Sequence, residues 1–245
     1  MSESMRQYLD RRYRALMDER ASWEPRWREI SEYLLPRHSR FLMTDANRGN
    51  RKNSDMSKIV DSTAVYALRT LSSGMMSGIT SPARPWFRLT VPDPQLADDQ
   101  AVRSWLYEVE QRMREVFTRS NLYNVLPQIY QQMAGFGTAA MGVLEHPDEV
   151  VRFYPFPIGS YAVSNNGDLR VDTFVRQFRM TVRQLVQDFG EDAVSDRVKN
   201  AYKNGRLEQW IDVIHLVEPN WWQVPEREDF AGKAYRSVYY EKGAN

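Results

Sequence analysis

Reactive chemistry needs groups that move protons, hold metals or attack carbon, and this sequence offers few at usable spacing. Its three histidines, His38, His146 and His215, lie far apart, and none has a second histidine or a carboxylate at zinc-like spacing. There is no cysteine, which removes disulfides, thiolate metal sites and cysteine nucleophiles. Phosphate-cradling GxxxxGKS/T is absent, as are GxGxxG and GxSxG. Carboxylates pair at Asp98-Asp99, Glu191-Asp192 and Glu228-Asp229. The first two fall where helix starts are expected, and capping and the helix dipole account for acidic residues there. A metal-dependent nuclease would need carboxylates gathered from strand ends around a cleft, and that reading stays as one alternative. The expectation is no catalytic residue, no cofactor and no metal, so not an enzyme.

Binding chemistry is better represented. Arg48-Gly49-Asn50-Arg51-Lys52-Asn53-Ser54 is a basic, polar stretch without periodicity, read first as a solvated connector. If any segment touches phosphate or a partner's acidic face, Arg48, Arg51 and Lys52 are the candidates. Tyr154, Phe156, Trp221 and Trp222 could stack bases, although such rings more often serve a core or an interface. An Arg-rich nucleic-acid-binding module is therefore the second alternative. The overall charge argues against it, because 33 basic and 32 acidic residues leave a net charge of only +1. A dedicated nucleic-acid binder usually carries a clear basic excess.

The 245 residues are 42% hydrophobic and 27% charged, with a mean hydropathy of -0.62. That composition is globular, with material for one large core or two small ones. No apolar run approaches the roughly 20 residues that cross a bilayer, and the N-terminus has no apolar signal-peptide core. Assembly in a cytosol, with no membrane partner, is expected.

The elements that would position these groups begin with helices. Leu9, Tyr13, Leu16 and Met17 form an apolar stripe, as do Trp23, Trp27, Ile30 and Leu34, with Pro25 either starting a new helix or bending one. A helix over 57–79 is marked by Val60, Ala64, Leu68, Leu71, Met75 and Ile79. Its small residues Ala64, Ser72, Gly74, Ser77 and Gly78 predict close packing in a core. Residues 86–91 read as a short strand between prolines. Asp98 and Asp99 open a helix whose buried face is Val102, Leu106, Val109, Met113, Val116 and Phe117. Another helix runs over 124–134, with Pro127 in its first turn.

From residue 140 the pattern turns to strands, over 140–145, 150–156, 161–164, 169–179, 210–217 and 237–240. Asn166-Gly167 signals a hairpin turn. Thr181 and Gln184 form a capping box for a helix over 182–189, with Gly190 as its stop. Another helix ends near Asn204-Gly205. Residues 241–245 read as a turn with no returning strand, and the natural polypeptide is expected to continue.

Taken in order, several segments resemble the portal, or head-to-tail connecting, protein family of short-tailed T7-like phages. They are Trp27, Ile30, Tyr33, Leu34 and Pro36; Asp61-Ser62-Thr63-Ala64 leading to Leu68, Leu71, Gly74 and Met75; Thr80-Ser81-Pro82; and Trp86-Phe87-Arg88-Leu89. Trp105-Leu106, Ser120-Asn121-Leu122-Tyr123 and Gly135-Phe136-Gly137-Thr138-Ala139 follow. Phe153-Tyr154-Pro155, Tyr161, Gly167, Phe174, Phe178, Thr181, Gln184, Leu185, Phe189 and Gly190 complete the series. The resemblance covers residues 8–217 and is weakest over 218–245. No single motif is specific; their order and spacing are.

The resemblance implies an α+β fold, with N-terminal helices followed by a β-rich region with short helices. This would be the wing of a larger ring-forming subunit, with an N-terminal amphipathic helix region at 1–36, a polar basic loop at 37–56, a helical wing part at 57–139 and a β-rich part, incomplete at its C-terminus, at 140–245. It further implies a homo-oligomeric ring, a dodecamer, at one capsid vertex of the virion, assembled in the host cytoplasm. Double-stranded viral DNA would pass through the ring. The terminase motor, capsid and scaffold proteins, and tail adaptor proteins would dock on it. No long stem helix pair follows the β-rich part, so the resemblance transfers no DNA-contacting residue.

Overall fold

A computed structural model of the chain describes residues 4–35 and 61–243. It is α+β and divides into two compact units. One, the sheet unit, comprises Met1–Pro25 and Gly159–Asn245; the other, the helical unit, is Arg26–Ile158.

The sheet unit is built on four antiparallel strands in sequential order: β3 (Tyr161–Asn165), β4 (Val171–Thr181), β5 (Trp210–Pro219) and β6 (Tyr235–Glu241). Alternation sends successive side chains to opposite faces. On one face Ala162, Val175, Ile214 and Leu216 meet Leu9 and Leu16 of the first helix, α1 (Met5–Ala21). On the other, Met180, Ile211 and Val213 meet residues of two short helices, α7 (Val182–Phe189) and α8 (Asp196–Lys203). Val175, Ile214 and Leu216 are fully enclosed. Ser4 and Gln7 cap α1 reciprocally, and Thr181 and Gln184 do the same for α7.

The helical unit holds most of α2 (Glu24–Leu34), then α3 (Thr63–Ile79), α4 (Pro94–Asp98), α5 (Gln100–Arg119) and α6 (Leu122–Phe136). A hairpin of β1 (Ala140–His146) and β2 (Val150–Phe156) follows. Its core is Leu122, Val125, Leu126 and Tyr130 of α6 against Phe153 of β2. Asn121 ties helix to hairpin: its amide donates to the Phe153 carbonyl at 2.7 Å and accepts from the Phe153 N–H at 2.8 Å. Gly142 is required where it stands, because an added Cβ would lie 2.7 Å from the Phe156 ring.

Pro25 takes the first of its two expected roles, sitting in the first turn of a new helix, α2, after a break at Ser22-Trp23. Several other sequence expectations are corrected. Residues 86–91 form no strand. No strand among the described residues pairs with them; Trp86 and Phe87 instead pack on Phe117, and the Leu89 N–H donates to the Glu110 carboxylate at 3.4 Å. Asp98 ends the short α4, and Asp99 alone caps α5, accepting from the N–H groups of Ala101 and Val102. The predicted buried face of α5 is only half-buried, and the one buried residue on that helix is Glu110, held by Arg114. Because α6 starts at Leu122, Pro127 lies beyond its first turn.

The small residues Gly74 and Gly78 of α3 are exposed, with nothing within 4 Å of an added Cβ, so they do not mediate the close packing their size suggested. Glu191-Asp192 does not open a helix; Ser195 caps α8 four residues further on. The 166–170 turn is longer than a two-residue hairpin, and the residue with positive φ is Leu169 (60°), not Gly167.

Candidate functional site

Two polar clusters organise the sheet unit. Glu218 continues the inward alternation of Ile214 and Leu216, which puts a carboxylate on a buried face at 1% exposure. A buried charge must be paired. Arg236 of β6 supplies a guanidinium, Arg12 of α1 approaches at 3.5 Å, and the Tyr8 hydroxyl donates at 3.3 Å. Arg236 also lies 4.6 Å from the Trp222 ring centre and 5.0 Å from that of Tyr8, and the two rings meet edge to face. Burial, with Glu218 beside it, pushes the Tyr8 hydroxyl pKa up. This cluster locks α1 onto strands more than 200 residues away.

On the opposite face His215 stacks on Tyr239 with ring centres 3.9 Å apart. Its Nδ1 accepts from Arg176 at 3.2 Å, so Nε2 carries the proton toward Ser237 Oγ at 2.8 Å. Burial, reinforced by Arg176, lowers this imidazole to about 4. His215 is thus a neutral packing residue at physiological pH. His146 has an equally local role, with Nδ1 accepting from the N–H groups of Asp148 and Glu149 in the β1–β2 turn.

Beside the Glu218 cluster a shallow groove runs between α1 and the loop after β5, lined by Tyr8, Arg11, Arg12, Ala15 and Trp221. Trp221 is 69% exposed. Among the described residues no group of three or more His, Cys, Asp or Glu could hold a metal ion. No helix among them is long and apolar enough to cross a membrane.

Arg48, Arg51, Lys52 and His38 lie outside the described residues. Of the aromatic candidates, Trp222 is committed to Tyr8 and Arg236, Phe156 covers Gly142, and Tyr154 and Trp221 face outward. Tyr154 and Phe156 belong to one unit and Trp221 and Trp222 to the other. The Glu218 cluster escaped the sequence reading. The available signal was a carboxylate at an inward position of β5, which demands a cation from somewhere.

The architecture is that of a scaffold with locked strands and an outward-facing aromatic loop. Comparison with known sequences gives it a place: residues 6–245 match the family described as bacteriophage head to tail connecting protein. The chain belongs to this family. The connector match runs on through 218–245, where the motif resemblance was weakest, and so includes the Glu218 and Arg236 strands. Among curated relatives, the chain is 49% identical to the portal protein of Salmonella phage epsilon15 over its full length. It is 43% identical, over 99% of its length, to a probable portal protein of Bordetella phage BPP-1. It spans 44% and 43% of those relatives' own lengths.

Proposed function

We propose that this chain is the wing-forming part of a portal subunit. It acts structurally, without catalysis, in a closed homo-oligomeric ring at one capsid vertex, of twelve copies by the family resemblance. The observation that carries this reading is the connector match over 6–245 with portal relatives at 49% and 43% identity. The surface supports it. Tyr66, Leu71 and Ile79 on α3, and Trp105 and Tyr107 on α5, are all more than half exposed, and large exposed apolar side chains in number mark surfaces covered on assembly. A ring needs two different faces per subunit that close by rotation.

In this reading viral DNA passes through the ring during packaging and ejection. The terminase motor, scaffold and capsid proteins, and tail adaptors engage parts of the subunit outside the described residues or on its rim. Assembly occurs in the host cytoplasm before incorporation into the virion. Arg48, Arg51 and Lys52 remain the proposed contacts to phosphate or an acidic partner, tested by neutralising all three and measuring packaged DNA. Native mass spectrometry of the full-length protein tests the main reading. A single closed multiple of the subunit mass is expected, and a monomer at micromolar concentration overturns it.

A further inference from the structure

The groove between α1 and the loop after β5 has an unusual composition for a surface. Trp221 stands on its rim at 69% exposure and Arg11 lines it from α1; exposed Arg14 lies beside it, lining the neighbouring depression with Gln7, Asp10 and Arg11. Around it the same end of the sheet gathers further uncovered apolar side chains. Leu169 is 83% exposed and Val171 60% exposed, beside Tyr235 at 53%. Register places them together: β4 begins at Val171, and Phe174 pairs with Val217, while Tyr235 pairs with Pro219. Leu169 also has a φ of 60°, a conformation that disfavours a bulky side chain. A strained, exposed leucine at a hairpin tip, together with an exposed tryptophan above arginines, is the composition of an interface anchor.

The opposite face of the same unit is complementary. Between Gln187 and Asp196 there are four carboxylates, Asp188, Glu191, Asp192 and Asp196, and no basic residue. All four are exposed, with Lys203 contacting Glu191 alone at 3.6 Å. This turn joins α7 to α8 over the sheet face opposite α1: Phe189 packs on Tyr239 with ring centres 5.2 Å apart, and the Ser195 N–H donates to the Glu241 carboxylate at 2.8 Å. Trp221 follows β5 on the side that α1 covers. The four-stranded sheet therefore stands between the two features within one subunit.

We infer that the basic, Trp221-rimmed groove of one subunit receives the acidic 188–196 turn of a second copy of this chain. The inference rests on the ring reading above and supplies one of its contacts. A basic groove on one face and an acidic turn on the other give the unlike, mutually complementary faces that a head-to-tail ring requires. The indole supplies apolar burial at low entropic cost, and Arg11 and Arg14 set register against the carboxylates.

This sequence has no cysteine of its own. Ala15 in the groove and Ala193 in the acidic turn are both exposed. Full-length A15C/A193C protein, with any cysteine outside these 245 residues replaced by serine and treated with a short bis-maleimide, is expected to give a ladder of covalent multimers on denaturing gels, while neither single variant does. Trp221→Ala should weaken association roughly tenfold or more. Arg11→Glu with Arg14→Glu should disrupt it, and Asp188→Arg with Asp192→Arg should restore it. Closed rings that give no ladder, or a ladder from A15C alone, overturn the groove assignment and leave the ring reading intact. A wild-type protein that stays monomeric overturns the ring reading itself.

Discussion

The two units are held by different physics. In the sheet unit, apolar residues are sealed on both faces of β4 and β5, and the charges that enter are paired, as Glu218 is with Arg236 and Arg12. In the helical unit the best-enclosed element is α6, while α5 buries only Glu110 and α3 only Leu68 and Ser72. The first has a sealed core with a polar lock. The second leaves helix faces whose apolar side chains are uncovered among the described residues. A subunit that assembles can divide labour this way, with one part fixed before assembly and another completed by it.

The contrast is most severely tested at Glu218. Glu218→Ala leaves two arginines at the end of a buried face without their carboxylate and should cost about 3–5 kcal/mol, read by chemical denaturation. A loss below about 1 kcal/mol would show that the lock does not hold the sheet unit. The next effect is on pH. The folded His215 imidazole sits at about 4, against 6.5 when unfolded. Above pH 6.5 both forms are neutral. As pH falls toward 4, the unfolded chain takes up a proton that the folded chain refuses, so stability declines across that window by up to about 3 kcal/mol. In His215→Gln that decline should flatten.

Smaller effects are expected in the helical unit. Asn121→Ala removes both bonds to the Phe153 backbone and should cost about 2 kcal/mol. Trp105→Ser, at a 61% exposed position, should change subunit stability by no more than about 0.5 kcal/mol. A substantially larger loss in the isolated subunit would mean that α5 is already packed before assembly.

The comparison also explains what was legible in the sequence. The helix over 182–189 matches end to end, because Thr181, Gln184 and Gly190 fix both its termini within ten residues. The strands of both sheets were visible for the same reason, through alternation and turn residues. Long-range pairing was not. Nothing near Tyr8 or Arg12 announces Glu218, and nothing near Leu9 or Leu16 announces Ile214. The apolar rows of α5 and α3 were read as buried because periodicity reports which face is apolar, not what covers it. Residues 86–91 have strand composition but no partner strand among the described residues, and their rings pack on Phe117. For the candidate site, Trp221 was singled out as a residue type. Its seat beside Arg11 and Arg12 depended on the same α1-to-sheet docking.

The central claim is that this chain forms part of a portal ring. An asymmetric electron cryomicroscopy reconstruction of the virion tests it most directly. The account predicts that the sheet and helical units fit density repeated around a ring at one capsid vertex. Density for these units at every vertex, or at none, would contradict it.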